Sequence, residues 1–108
     1  MILTESFTGN LVSASVSEER TFQYDVVIRG VEIVASTGIT ETITIIHKTS
    51  DGTEFIKEVK VLSSETDFAY HPLGDIYVKR GDYVKVTITN ANTTGTVIGL
   101  ITVQAVQG

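Results

Sequence analysis

Few residues in this chain have the types and spacing that chemistry requires. Asp67, His71 and Asp75 fall close together and carry the oxygen and nitrogen donors a metal would accept. They match neither the His-x-x-x-His spacing of a zinc-binding helix nor the dense oxygen ligands of a calcium loop. Exposed loop residues are the simpler reading, so no metal and no cofactor is expected. The only other histidine is His47. Serines are plentiful, but there is no Gly-x-Ser-x-Gly elbow and nothing singles out a Ser–His–Asp set. Glu18-Glu19 offers two carboxylates for acid–base work, yet adjacent glutamates in a polar stretch read as solvated surface. No glycine-rich loop is present to cradle a phosphate. The expectation is a protein that is not an enzyme.

Recognition motifs are equally sparse. Arg80-Gly81-Asp82 is a tripeptide known as an adhesion ligand, but it sits between two strand patterns. There Gly81 supplies an unusual backbone angle and Asp82 can hold the turn by accepting from nearby backbone N–H groups. Asn92-Thr93-Thr94 fits the glycosylation acceptor pattern and reads equally as turn chemistry. Tyr70, Tyr77 and Tyr83 could stack on sugar rings if they share an outer face; sheet packing or a subunit interface is the competing reading, and the lack of tryptophan weakens the sugar one.

The elements that position these residues are strands. Val (14), Ile (12) and Thr (16) dominate the 108 residues, against five Leu and five Ala. Branching at Cβ restricts rotamers in a helix and suits a pleated surface. Alternation places strands at 12–16, 21–36, 40–48, 54–62, 68–70, 76–78, 83–90 and 96–106. Ile43 and Ile45 point inward, as do Val84, Val86 and Ile88. Ser17 to Arg20 reads as a loop or a single helical turn. Gly30, in mid-strand, suggests a bulge or bend. Asp51-Gly52 is a strong hairpin signal, and Pro72, Gly74, Gly81 and Asp82 mark further turns. Lys57 interrupts the apolar face of Phe55, Val59 and Val61. The last strand is apolar on both faces in places, as where both sides are covered. About eight strands at short spacing predict an all-β fold, an antiparallel β-sandwich of jelly-roll type.

The length fits one domain over residues 1–108. No apolar run approaches the roughly 20 residues that cross a bilayer, and no charged-then-apolar leader follows Met1, so neither a membrane nor secretion is expected. There is no cysteine, hence no disulfide and no thiolate chemistry. A net charge of −5 with scattered basic residues argues against nucleic acid. Only 19% of residues are charged, and a threonine-rich surface suits burial against other copies, with a homotrimer favoured.

The segment Pro72-Leu-Gly-Asp-Ile-Tyr-Val-Lys-Arg-Gly-Asp-Tyr-Val-Lys-Val86, followed by threonine-rich strands, resembles the end of small β-sandwich proteins encoded by tailed bacteriophages. The resemblance spans about residues 24–106, including the Ser50-Asp-Gly-Thr53 hairpin. It implies a virion protein assembled in the host cytoplasm, either a head-decoration (cement) protein bound to the major capsid protein or a fibre or spike module that recognises a receptor or glycan. The family carries no catalytic motif. Ile2, Leu3 and Phe7 are candidate contacts to capsid or to neighbouring subunits if residues 1–7 form an arm; otherwise the segment is simply a first strand.

Overall fold

A computed structural model describes residues 1–12, 14–89 and 95–106. Nine strands follow in order: β1 (Ile2–Asn10), β2 (Val16–Thr21), β3 (Val26–Ile39), β4 (Thr42–Lys48), β5 (Glu54–Val61), β6 (Glu65–Tyr70), β7 (Tyr77–Val78), β8 (Tyr83–Ile88) and β9 (Thr96–Ala105). No helix occurs among the described residues, so none is present to cross a membrane.

The strands form two antiparallel sheets. Sheet I runs β1-β9-β3-β6, with the two-residue β7 beside β3; sheet II runs β2-β8-β4-β5. Successive strands alternate between sheets except at the β4–β5 hairpin and between β6 and β7, and β9 inserts between β1 and β3. This is the two-sheet order of a jelly roll, eight long strands and one short one.

The core lies between the inner faces. Ile43 and Ile45 on β4 stand opposite Ile88 and Val86 on β8, and all four are fully buried. Across from them, Ile28, Val31 and Ile33 on β3 share a face with Val97, Ile101 and Val103 on β9. A period-2 strand with one buried face requires this alternation. The disturbance expected at Gly30 is a bulge: the register shifts between Ile28 and Gly30, leaving Arg29 unopposed.

Four expectations need correction. Residues 17–20 are not a loop but belong to β2. Glu18 and Arg20 fall on its inner side, opposite Val86 and Val84, and they remain there by bonding each other at 3.0 Å. Arg20 also donates to the Ser6 carbonyl of β1, closing this side of the sandwich with a charge that bridges both sheets. Val12, expected to start a strand, lies with Leu11 in a turn. There Leu11 is buried, Val12 is exposed and the Val12 N–H donates to Asn10.

Of the two readings of residues 1–7, the first strand holds rather than the arm, and the candidate contact Phe7 is what needs correcting. The segment pairs with β9 in continuous register, from Ile2 opposite Gln104 to Phe7 opposite Gly99. Phe7 is a core residue because its ring lies over Gly99, where an added Cβ would meet it at 2.1 Å. It therefore offers no surface to a partner. Finally, β9 is covered on one face only: Val97 and Ile101 are buried, but Ile98 is exposed.

Candidate functional site

Two parts of the surface hold the residues singled out in the sequence. The first is a corner where two turns meet. Asp82 N–H donates to the Lys79 carbonyl at 2.9 Å, closing a β-turn in which Gly81 has φ +91°, a conformation that favours glycine. The Asp82 side chain then turns inward. One carboxylate oxygen lies 3.0 Å from His47 Nε2, and the other accepts from the Ser50 N–H at 3.0 Å. Asp82 is only 8% exposed. The Arg80 N–H donates to Asp25. The Arg-Gly-Asp tripeptide thus has its carboxylate committed to the fold, as the turn reading expects.

The facing hairpin is built by Asp51 and Gly52. Gly52 has φ +97° and its N–H donates to the Thr49 carbonyl. Asp51 accepts from the Thr49 hydroxyl and from the Thr53 N–H at 3.1 Å. These donors, the Thr49 hydroxyl first, hold its carboxyl below the ordinary value of 3.8. Between the two turns lies a cleft of about 500 Å³ lined by His47, Asp51, Phe55, Tyr77, Lys79 and Asp82 among others. The His47 and Phe55 rings are 6.0 Å apart.

The second part is the pair of outer sheet faces. Sheet II carries charge over β2, β8 and the hairpin end of β4–β5, while Ile56, Val59 and Val61 leave the outer side of β5 apolar and exposed. Lys48 bonds Glu19 at 2.8 Å and Lys85 bonds Glu54 at 2.7 Å, with Lys85 also 3.9 Å from Glu19. The Lys85 ammonium holds the Glu54 carboxyl below its ordinary value, and Glu19 raises Lys48. Ile46, on this outer side, is buried yet stands apart from the core. On sheet I the one ion pair among the described residues, between Arg29 and Asp75, lies at the edge, with Arg29 also bonding Gln104. The register of this sheet puts Thr4, Ser6 and Thr8 of β1, Ile98, Leu100 and Thr102 of β9, and Glu32 and Val34 of β3 on one outward face. Val34 and Ile98 are direct cross-strand partners, 58% and 60% exposed. Ile2, opposite Gln104, extends this face, whereas Leu3 packs against the core.

The three tyrosines do not share a face. Tyr77 lines the cleft. Tyr83 stands on the outer side of sheet II with the Lys48 ammonium 5.6 Å from its ring centre. Tyr70 packs against the core, and burial, with a smaller push from Glu58, raises its hydroxyl pKa. Nor do Asp67, His71 and Asp75 converge. Asp75 bonds Arg29 and Tyr77, Asp67 stands opposite Val34, and His71 lies against Gly30. Among the described residues no three His, Cys, Asp or Glu side chains gather to hold a metal. Pro72 and Gly74 lie in the irregular stretch between β6 and β7, and Gly74 has no atom within 4 Å of an added Cβ. Asn92-Thr93-Thr94 falls outside the described residues.

Sequence reasoning missed Glu41, which is 1% exposed. One of its oxygens accepts from the Thr40 N–H; the other has no partner among the described residues. The only signal was its position between Thr40 and Thr42, where alternation hides it.

A scan against family models and a search of curated proteins return no match. Among solved structures the chain is similar to the NLP core of Drosophila, described for its pentamer formation and histone binding, at 19% identity and TM-score 0.46 over 92% of this chain and 95% of that one. It is also similar to part of the infectious bursal disease virus Gx strain structure, at 15% identity and TM-score 0.39 over 97% of this chain and 32% of that one. The Gt strain structure gives 13% identity and TM-score 0.35, over 99% of this chain and 38% of that one. At these scores the likenesses carry no argument about what the chain does.

Proposed function

We propose that this chain is a non-catalytic structural protein of a tailed-phage virion. It binds copies of itself, with three around an axis favoured, and decorates the assembled capsid through contacts to the major capsid protein. The observation that carries this reading is the outer face of sheet I, where exposed Ile2, Val34 and Ile98 sit among hydroxyls. An exposed sheet face of that composition gains by burial. A decoration protein that binds only the assembled shell stabilises it by mass action. The site of that contact moves from Phe7 to this face.

The test is co-sedimentation with emptied phage capsids, alongside light scattering of the purified protein. Ile98→Glu should abolish both sedimentation and the sheet I contact while leaving the melting temperature within a few degrees. Wild-type protein that stays in the supernatant with every capsid tried would sink the reading.

One observation favours a second reading, a module that recognises a receptor or glycan. The exposed rings of Phe55 and Tyr77 line the same cleft as Asp51 and Lys79, and apolar rings beside polar groups suit a sugar. Jelly rolls serve capsids and lectins alike, so the fold does not choose between them. Glycan-array binding lost on Tyr77→Ala, with no capsid sedimentation, would favour recognition.

A further inference from the structure

We infer that the free edge of β5 is the docking site for β5 of a second copy. The two strands run antiparallel about a twofold axis at Val59 and join two four-stranded sheets into one of eight. This goes beyond the virion reading and uses a different surface from the outer face of sheet I.

β5 ends the order of sheet II, and no strand lies beyond it among the described residues. The Leu62 N–H donates to Glu41 across the ladder. In an antiparallel pair this orientation alternates, so Lys60 and Glu58 also turn their backbone groups toward β4, while Val59 and Val61 turn theirs to the open edge. The Val59 N–H accordingly finds no strand; it donates to the adjacent Glu58 carboxylate at 3.1 Å. Eight residues long, β5 is exposed or half-buried throughout, with Val59 and Val61 at 50% and 67%. A long edge is a template for another strand, and here the bulge at Lys57 and the inward-facing Glu58 and Lys60 blunt it against any strand that does not answer their charges.

Charge decides which strand. Glu58 and Lys60 lie on the inner side of sheet II, opposite Ile45 and Ile43. A twofold axis perpendicular to the sheet keeps each residue on its own face. Centred on Val59, it sets Glu58 opposite the partner's Lys60 and Lys60 opposite the partner's Glu58. Both pairs fall at the positions not bonded through the backbone, where facing Cα atoms are closest, about 4.5 Å apart. Sliding the register by one step of the pleat in either direction places Glu58 against the partner's Glu58, or Lys60 against the partner's Lys60. Self-pairing is thus favoured in one register and opposed in its neighbours. The Glu58 carboxylate that occupies the Val59 N–H in the free chain is released to the partner's lysine as the ladder forms. The bulge at Lys57, which no β4 residue opposes, limits pairing to residues 57–61.

Sedimentation equilibrium of the purified chain, without capsid, tests this. In the Ile98→Glu background, which lacks the sheet I contact, the chain should dimerise, and Glu58→Lys should weaken dimerisation about tenfold by facing two pairs of lysines. Lys60→Glu should weaken it equally, and the double variant E58K/K60E should restore it. Circular dichroism confirms that each variant is folded. A monomeric Ile98→Glu chain would overturn the inference, as would a folded double variant no tighter than the singles. Ile98→Glu should leave this dimer intact, so failure of the virion reading remains distinguishable.

Discussion

His47 Nε2 lies 3.0 Å from Asp82 Oδ2, across 35 residues of sequence, and the same carboxylate holds the Ser50 N–H. One side chain therefore ties the end of β4, the β4–β5 hairpin and the turn before β8 into a single corner. Asp82→Ala removes the acceptor of the half-buried His47 ring and of the Ser50 N–H, and losing hydrogen bonds to a charged group costs roughly 1.5–3 kcal/mol. Urea denaturation should show that loss. Cell-adhesion assays should show no activity for the wild type or the variant, because the carboxylate never faces outward.

The glycines of the turns should separate by backbone angle. Gly81, at φ +91°, has open space around it, so Gly81→Ala should cost about 1 kcal/mol from strain alone. Gly74 has equal space and no positive φ. Gly74→Ala should therefore be neutral or raise stability by about 0.5 kcal/mol. Thermal melts of the two variants side by side check this.

Phe7 and Gly99 form one packing unit across β1 and β9. Phe7→Ala should cost about 3–5 kcal/mol, and Gly99→Ala, which drives a methyl into the ring, about 1–3 kcal/mol or more. Removing residues 1–7 should abolish the native circular dichroism spectrum rather than spare the fold and weaken binding alone. A folded truncation would show that sheet I closes without β1.

Acid should weaken the β4–β5 hairpin. The Asp51 carboxyl is held below its ordinary value by the Thr49 hydroxyl and the Thr53 N–H. A lowered folded pKa means that the unfolded chain binds the proton first as pH falls. The stability from this group is complete above its unfolded value and is lost as pH drops through the folded one. Asp51→Asn should therefore be less stable than wild type at pH 7, and the gap should narrow below about pH 4. Melting temperatures across pH 2–7 give the measurement.

Sequence alone reached the fold class and most strands, because one buried face leaves a period-2 trace. Ile43 and Ile45, and Val84, Val86 and Ile88, read correctly for that reason. β2 was hidden because its inner side carries Glu18 and Arg20 rather than aliphatics, a feature of edge strands that composition does not reveal. β5 was placed, but the face shared by Phe55 and Val59 was not: the extra residue Lys57 switches sides between them. The same bulge explains why Lys57 seemed to interrupt the pattern. At the corner, Asp82 was legible as a turn residue from its neighbour Gly81. Its bond to His47 was not, since nothing local links residues so far apart. The covered second face expected of β9 failed too, as apolar outward residues look alike whether a neighbour covers them or not.

The placement of β9 between β1 and β3 also sets the order of events in time. Ile2 finds its cross-strand partner at Gln104, and on its β9 side Ile33 finds its partner at Gly99. Sheet I therefore has a gap at its centre until β9 is made, and the β1 and β3 edges that face it wait open. Loop closure over such spans comes before any contact rewards it, which places folding on the order of milliseconds to seconds. During that interval the β4–β5 hairpin, closed locally at Asp51 and Gly52, is the part of the molecule best able to form first.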